Sequence, residues 1–176
     1  MEVMFVCTGN LCRSPMAEAL LKTGLKRRGI DQVELRSRGT WAVDGEPATR
    51  LAAAVMSSRG IRLNEHSARS LEPSDAERAD LIIVMTSVHR REIEERMPSM
   101  SQKVLLLKEL HLIEAEVPPE ASAAQRLAAL LGAKRPEYRR ALDVNDPMGL
   151  PLEVYERCAD ELEKGIERLI QLLWPR

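Results

Sequence analysis

The first fifteen residues constrain this chain more than any other stretch. A short apolar run, Glu2 to Val6, passes directly into Cys7-Thr8-Gly9-Asn10-Leu11-Cys12-Arg13-Ser14-Pro15, and a helical pattern follows from about Ser14 to Arg28, stopped by Gly29. A strand that enters a helix through a tight loop opens a β-α-β unit, and the chain goes on alternating. Val33 to Ser37 reads as a second strand, and Ala48 to Ser58 as a helix closed by Gly60. Leu81 to Met85 reads as a fully buried strand, Ser87 to Met97 as a helix stopped by Pro98, and Lys103 to Leu107 as a fourth strand. A last helix from near Leu152 carries Tyr155, Cys158, Leu162, Ile166, Leu169 and Leu173 at three- and four-residue spacing, one apolar face to lay against the sheet. The segment Glu114 to Pro136 departs in composition, with Pro118-Pro119 ahead of an alanine-rich stretch, and reads as an insertion holding a short helix.

The loop after the first strand combines the devices that phosphate capture and attack require. Five residues separate Cys7 from Arg13, which lets the backbone curl with successive N–H groups pointing inward as an anion-binding nest. Gly9 and Asn10 are expected to take the positive φ angles of such a curl, and the helix N-terminus adds partial positive charge. Pro15 suits the first helical turn, where its missing N–H costs nothing. A cradle of this kind favours the Cys7 thiolate and makes it a nucleophile. Ser14 can donate a hydrogen bond to the sulfur and improve it as a leaving group. Arg13 can grip two phosphoryl oxygens in a planar fork, so Arg13→Lys is expected to be severe. A bare C-x5-R pattern also fits a buried strand-end cysteine and a surface arginine. The preceding strand and the Ser-Pro opening of a helix favour the phosphate loop.

These readings give an α/β fold: one domain over residues 1–176, three layers α/β/α, a four-stranded parallel sheet, and a phosphate-binding loop between the first strand and first helix. Ligands gather at the carboxyl ends of strands in such folds, where this loop emerges. With 44% hydrophobic residues the chain has material for a substantial core, and 26 basic against 27 acidic residues give no nucleic-acid footprint or membrane attraction. The absence of a signal-peptide pattern and of a long apolar run sets the expectation of a cytoplasmic protein. Three cysteines, Cys7, Cys12 and Cys158, argue against a disulfide framework. His66, His89 and His111 lack zinc-type spacing and read as surface or capping residues, so no metal is expected.

With Cys7 to Pro15 continuing into Met16-Ala17-Glu18-Ala19, the chain resembles the low-molecular-weight protein-tyrosine phosphatase family. Further matching pieces are Ser37-Arg38-Gly39-Thr40, His66-Ser67-Ala68-Arg69, Asp80 through Thr86, and Asp146-Pro147, so that only the 114–136 segment lacks a counterpart. The resemblance implies a two-step mechanism through a phosphocysteine on Cys7, with Asp146 protonating the leaving atom and water then releasing phosphate. Without it, Asp146 before Pro147 reads rather as a turn or capping aspartate. The substrate-binding set it implies is Thr8, Gly9, Asn10, Leu11, Cys12 and Ser14, with Trp41 as a pocket wall or else a core or rim residue. It also makes a reversible Cys7–Cys12 disulfide a reasonable expectation, the alternative being that Cys12 simply packs against the sheet.

The substrates implied are phosphorylated proteins, with no cofactor, and the enzyme is expected to be a monomer. Thr8 after the nucleophile looks like the protein-arginine-phosphatase branch, and Met148 stands where tyrosine-directed relatives carry an aromatic residue. Phosphoarginine is therefore the first expectation and phosphotyrosine the alternative. Arsenate reductases of this fold need relay cysteines, which Leu81 to Arg96 does not contain. A non-catalytic phosphate-binding module would not need Cys7, Arg13 and Asp146 together.

Overall fold

In the computed structural model, which describes residues 1–175, the chain runs β1 (Glu2–Cys7), α1 (Arg13–Lys26), β2 (Glu34–Gly39), α2 (Arg50–Ser58), α3 (Pro73–Arg78), β3 (Leu81–Val84), α4 (Ser87–Arg96), β4 (Val104–Leu106), α5 (Ala123–Gly132) and α6 (Leu152–Leu173). The four strands form one parallel sheet in the order β2-β1-β3-β4. β1 and β3 are buried along their whole length and, from Val3 in β1, read as continuous apolar runs, as parallel strands covered on both faces must. β2, at the edge, carries Glu34, Arg36 and Arg38, charges that discourage pairing with another chain.

Alternating side chains divide the core in two. Val3, Phe5, Leu81, Ile83 and Leu105 meet α1, α2, α5 and α6 on one face; Met4, Val6, Ile82, Val84, Val104 and Leu106 meet Ala76 of α3 and Ile93 of α4 on the other. The expected three-layer α/β/α fold is the one observed. The apolar face read along α6 is also the buried one: Tyr155, Cys158, Leu162, Ile166, Leu169 and Leu173 all lie in the first cluster. α1 lies close enough to α6 that a Cβ on Gly24 would sit 2.5 Å from Ile170 Cδ1.

Strand and helix limits differ from the sequence expectation by a residue or two, the ordinary fraying of element ends. Outside the sequence expectation lie α3 and three short 3-10 turns, Pro98–Lys103, Lys108–His111 and Arg140–Leu142. α3 has six residues, too few for a periodic signal, and rests on Pro73 at its start and on a capping box between Glu72 and Asp75. In the 114–136 segment the expected short helix is α5, opened by a Ser122–Gln125 capping box and anchored to the core by Leu127 and Leu130.

The strand order reverses direction at β1: the chain moves first to β2 on one side and then to β3 on the other. The connections leaving β1 and β3 therefore diverge and open a crevice at the carboxyl end of β1, where residues 8–12 lie. Among the described residues no helix is long and apolar enough to cross a membrane.

Candidate active site

The loop from Cys7 to Ser14 is held from outside by its carbonyls. Thr40 N–H donates to Cys7 O, Trp41 N–H to Thr8 O, and Thr49 N–H to Leu11 O, each at 2.9 Å, while His66 Nε2 lies 2.7 Å from Asn10 O and Met16 N–H bonds Cys12 O. In a trans peptide the C=O of one residue and the N–H of the next point in opposite directions. Carbonyls turned out to these donors therefore turn the amides of Thr8, Gly9, Leu11, Cys12 and Arg13 inward, and the start of α1 lies on the same side. The result is an anion nest with a helix N-terminus at its base.

Asn10 supplies the left-handed residue of the curl, with φ of 56°. Its side chain offsets the strain: Oδ1 accepts from Arg69 N–H at 2.9 Å and Nδ2 donates to Ser14 Oγ at 2.9 Å. Gly9, expected to share that role, does not have a positive φ, and a Cβ there would meet Leu11 at an ordinary 3.6 Å. The glycine that the curl does require is Gly39, at the end of β2. A Cβ on it would sit 2.5 Å from Thr8 O and 3.0 Å from Asn10 N.

Cys7 and Ser14 are both buried, with Sγ and Oγ 3.0 Å apart, the contact the sequence suggested. Asn10 Nδ2 already occupies one acceptor position of the Ser14 hydroxyl. The hydroxyl proton is left for the sulfur or for Arg38 O at 3.4 Å. Arg13 is 3% exposed. Its Nη1 donates to Val144 O at 3.2 Å and its Nη2 to Asp146 Oδ2 at 2.6 Å, while its buried Nε has no partner. A buried guanidinium with a free donor beside a ring of inward amides is a site for an anion.

Asp146 reaches Arg13 because the segment before it is fixed at two points. Val144 N–H bonds Met85 O at 2.8 Å, and Asp143 Oδ1 accepts from Ser87 N–H at 2.8 Å, at the start of α4. Met148 N–H closes a turn on Asp146 Oδ1 at 3.1 Å, and the carboxylate side chain is 47% exposed. Cys7, Arg13 and Asp146 are thus brought to one place. Cys12 is a buried free thiol with Sγ 3.4 Å from Thr49 Oγ1 and 3.6 Å from Tyr155 Oη. Burial pushes it above the ordinary thiol value, against the lowering effect of those two hydroxyls. Trp41 lies on the rim, 74% exposed, next to Thr8 through its backbone and with Nε1 donating to Glu92 Oε1 at 3.0 Å.

Two of the three histidines do more than sit at the surface or cap a helix. His66 holds the loop through Asn10 O, so its Nε2 carries the proton in that bond. His89 is 3% exposed and joins the loop to α4, with Nε2 2.9 Å from Thr8 Oγ1 and Nδ1 3.0 Å from Thr86 Oγ1. Burial, with the Arg13 charge adding to it, pushes the imidazole down to about 4. His111, by contrast, is exposed at the end of a short 3-10 turn. Thr86-x-x-His89 is a legible helix start, but no spacing links it to Thr8, 81 residues away. Among the described residues no group of His, Cys, Asp and Glu is arranged to hold a metal ion.

A family profile described as low molecular weight phosphotyrosine protein phosphatase matches residues 2–119. A protein-arginine-phosphatase of Geobacillus stearothermophilus is 34% identical over 98% of this chain and 95% of its own length. A probable low molecular weight protein-tyrosine-phosphatase, EpsP, of Ralstonia nicotianae is 40% identical over 94% of this chain and 90% of its own. Among solved structures, a YwlE mutant from Bacillus subtilis superimposes with a TM-score of 0.75 at 33% identity, covering 97% of each chain.

Proposed function

Because the chain belongs to the low molecular weight phosphotyrosine protein phosphatase family, we propose that it hydrolyses phosphorylated proteins through a phosphocysteine on Cys7, with phosphoarginine as the preferred substrate. The observation that carries the chemistry is the Arg13–Asp146 contact, which sets a carboxyl group against the guanidinium of the anion nest. The phosphoryl oxygens take the inward amides and Arg13 Nε and Nη2, the latter exchanging Asp146 for phosphate. Cys7 thiolate attacks phosphorus in line; the S–P bond forms as the bond to the leaving nitrogen or oxygen breaks, and Asp146 gives that atom its proton. Water then attacks phosphorus with the Asp146 carboxylate taking its proton, and Cys7 leaves as a thiolate hydrogen-bonded by Ser14. On this reading the enzyme works in the cytoplasm as a monomer.

The preference for phosphoarginine rests on the rim. A guanidino group brings several N–H donors and needs acceptors. Thr8 Oγ1 and Asp146, both beside Arg13, are acceptors. The full-length likeness to proteins named protein-arginine-phosphatase supports the same choice. Two observations favour phosphotyrosine instead: the 40% identity to the probable protein-tyrosine-phosphatase EpsP of Ralstonia nicotianae, and the apolar surface that Trp41 at 74% and Met148 at 45% exposure offer to a phenyl ring.

The deciding experiment compares kcat/KM for phosphoarginine and phosphotyrosine peptides, with Cys7→Ser as the blank. A phosphoarginine preference that moves toward phosphotyrosine in Thr8→Ile supports the reading. A phosphotyrosine preference in the parent keeps the mechanism and overturns the substrate. No Cys7-dependent turnover of either returns the site to a phosphate-binding module.

A further inference from the structure

The hydroxyl of Thr8 is held between a base and a cation. Nε2 of His89 lies 2.9 Å from it, and Nη2 of Arg13, which can only donate, lies at 3.5 Å. A hydroxyl has one proton and two acceptor positions, and Arg13 faces one of the latter. One lone pair and the proton remain, to be divided between His89 and whatever enters the pocket.

The division depends on which imidazole nitrogen carries hydrogen. With the proton on Nε2, His89 donates to Thr8, and the Thr8 proton is free to bond a substrate oxygen. With the proton on Nδ1, Nε2 takes the Thr8 proton and the remaining lone pair is free to accept from a substrate N–H. Thr86 can serve both states. Its Oγ1 lies 3.0 Å from Nδ1 and accepts the backbone N–H of His89 at 3.4 Å, which leaves it one proton and one lone pair. The chain Thr86–His89–Thr8 can therefore reverse its hydrogen-bond direction with no change in net charge.

We propose that His89 is a positioning residue that sets whether Thr8 shows the substrate a proton or a lone pair, and so serves a phosphoguanidino N–H as an acceptor. The inference rests on the reading of the Cys7 loop as the phosphoryl site. It also explains why a histidine kept neutral at physiological pH is buried beside an arginine: a protonated imidazole would donate from both nitrogens and fix Thr8 in one state.

The test is a double-mutant cycle in kcat/KM on a phosphoarginine peptide, with Cys7-dependent turnover of p-nitrophenyl phosphate and thermal melting as controls. The variants at position 89 are His89→Phe, His89→Gln and His89→Asn, each with Thr8 present and with Thr8→Val. The Gln amide reaches the place of Nε2, whereas the Asn amide reaches only that of Nδ1. The Phe and Asn variants are expected to lose ~3- to 10-fold, the scale of one hydrogen bond, and Gln to retain most of the activity. In the Thr8→Val background all three should match their parent.

Losses that persist undiminished without the Thr8 hydroxyl, or a Gln variant as poor as Asn, would overturn the role and leave His89 a packing residue. If the Phe variant does not fold, the Gln–Asn comparison decides alone. Absence of Cys7-dependent turnover in the parent would overturn the phosphatase reading and this one together. Turnover with additive losses overturns only His89.

Discussion

Arg13 and Asp146 are 133 residues apart in the chain, and their side chains meet with Nη2 and Oδ2 at 2.6 Å. The guanidinium is buried and the carboxylate half in solvent, so the arginine end of the pair is enclosed and the acid end is open to what enters the site. That asymmetry suits a carboxyl group that must release arginine to phosphate and turn to a leaving atom. Asp146→Asn should therefore slow the chemical step by about 10²- to 10⁴-fold for phenyl phosphate, whose leaving group needs a proton. The loss should be much smaller for p-nitrophenyl phosphate, which leaves well as an anion. Equal losses across leaving groups would mean that Asp146 only orders Arg13.

Gly39 is the point where β2 and the phosphate loop come too close for a side chain. The added methyl of Gly39→Ala would contact the Thr8 carbonyl at 2.5 Å, and backbone oxygen cannot move aside as the end of a side chain can. The same carbonyl accepts from Trp41 N–H, so displacing it turns the Thr8–Gly9 peptide and its inward amide. We expect a stability loss of about 1–3 kcal/mol in denaturant unfolding, together with weaker competitive inhibition by phosphate. A variant that inhibits and unfolds like the parent would show that the loop relaxes freely.

What the sequence made legible was local. The strand-loop-helix order at Cys7, the i, i+3, i+4 face of α6 and the buried run at Leu81 each depend on residues close in the chain, and each has its counterpart in the structure. Cys7 and Arg13 share one loop, so their meeting was readable; the meeting with Asp146 depended on a family likeness rather than on spacing. The partners of Thr8 and Asn10 were not readable. His89 and His66 reach them from 81 and 56 residues away, and a lone histidine in sequence carries no mark of what it will face. Both Gly9 and Asn10 tolerate a positive φ, so the sequence points to both. In the structure Asn10 alone of the two takes it, where its side chain bonds Arg69 N–H and Ser14 Oγ.

His89 should make the protein acid-sensitive. In the unfolded chain its imidazole titrates near 6.5, and in the fold burial and then Arg13 lower it to about 4, with Glu92, Asp146 and Asp143 opposing. Between those values the unfolded chain binds more protons, so stability rises with pH and is lost as pH falls from about 6.5 toward 4. At about 1.4 kcal/mol per tenfold change in proton affinity, the full loss is roughly 3 kcal/mol. Urea unfolding at a series of pH values on the parent and on His89→Gln checks this. The variant should be flatter over that window, and parallel curves would show that another group governs the acid limb.

Cys12 sets the last expectation, that oxidation of Cys7 is reversible and that the protection strengthens with pH. Peroxide converts the Cys7 thiolate to a sulfenic acid, which a second oxidation carries to the irreversible sulfinic acid. Attack by Cys12 on the sulfenic sulfur forms the S–S bond, expels water and diverts that route, but the attacking species is a thiolate. Burial holds Cys12 above the ordinary thiol value, and Thr49 and Tyr155 only partly offset it. Disulfide formation should therefore compete poorly near pH 7 and better toward pH 9. After a fixed peroxide exposure, the activity recovered with dithiothreitol should climb over that range in the parent and stay low in Cys12→Ser. Mass spectrometry should find the Cys7–Cys12 disulfide in the recoverable fraction. Equal irreversible loss in parent and variant at every pH would leave Cys12 as a packing residue beneath the loop.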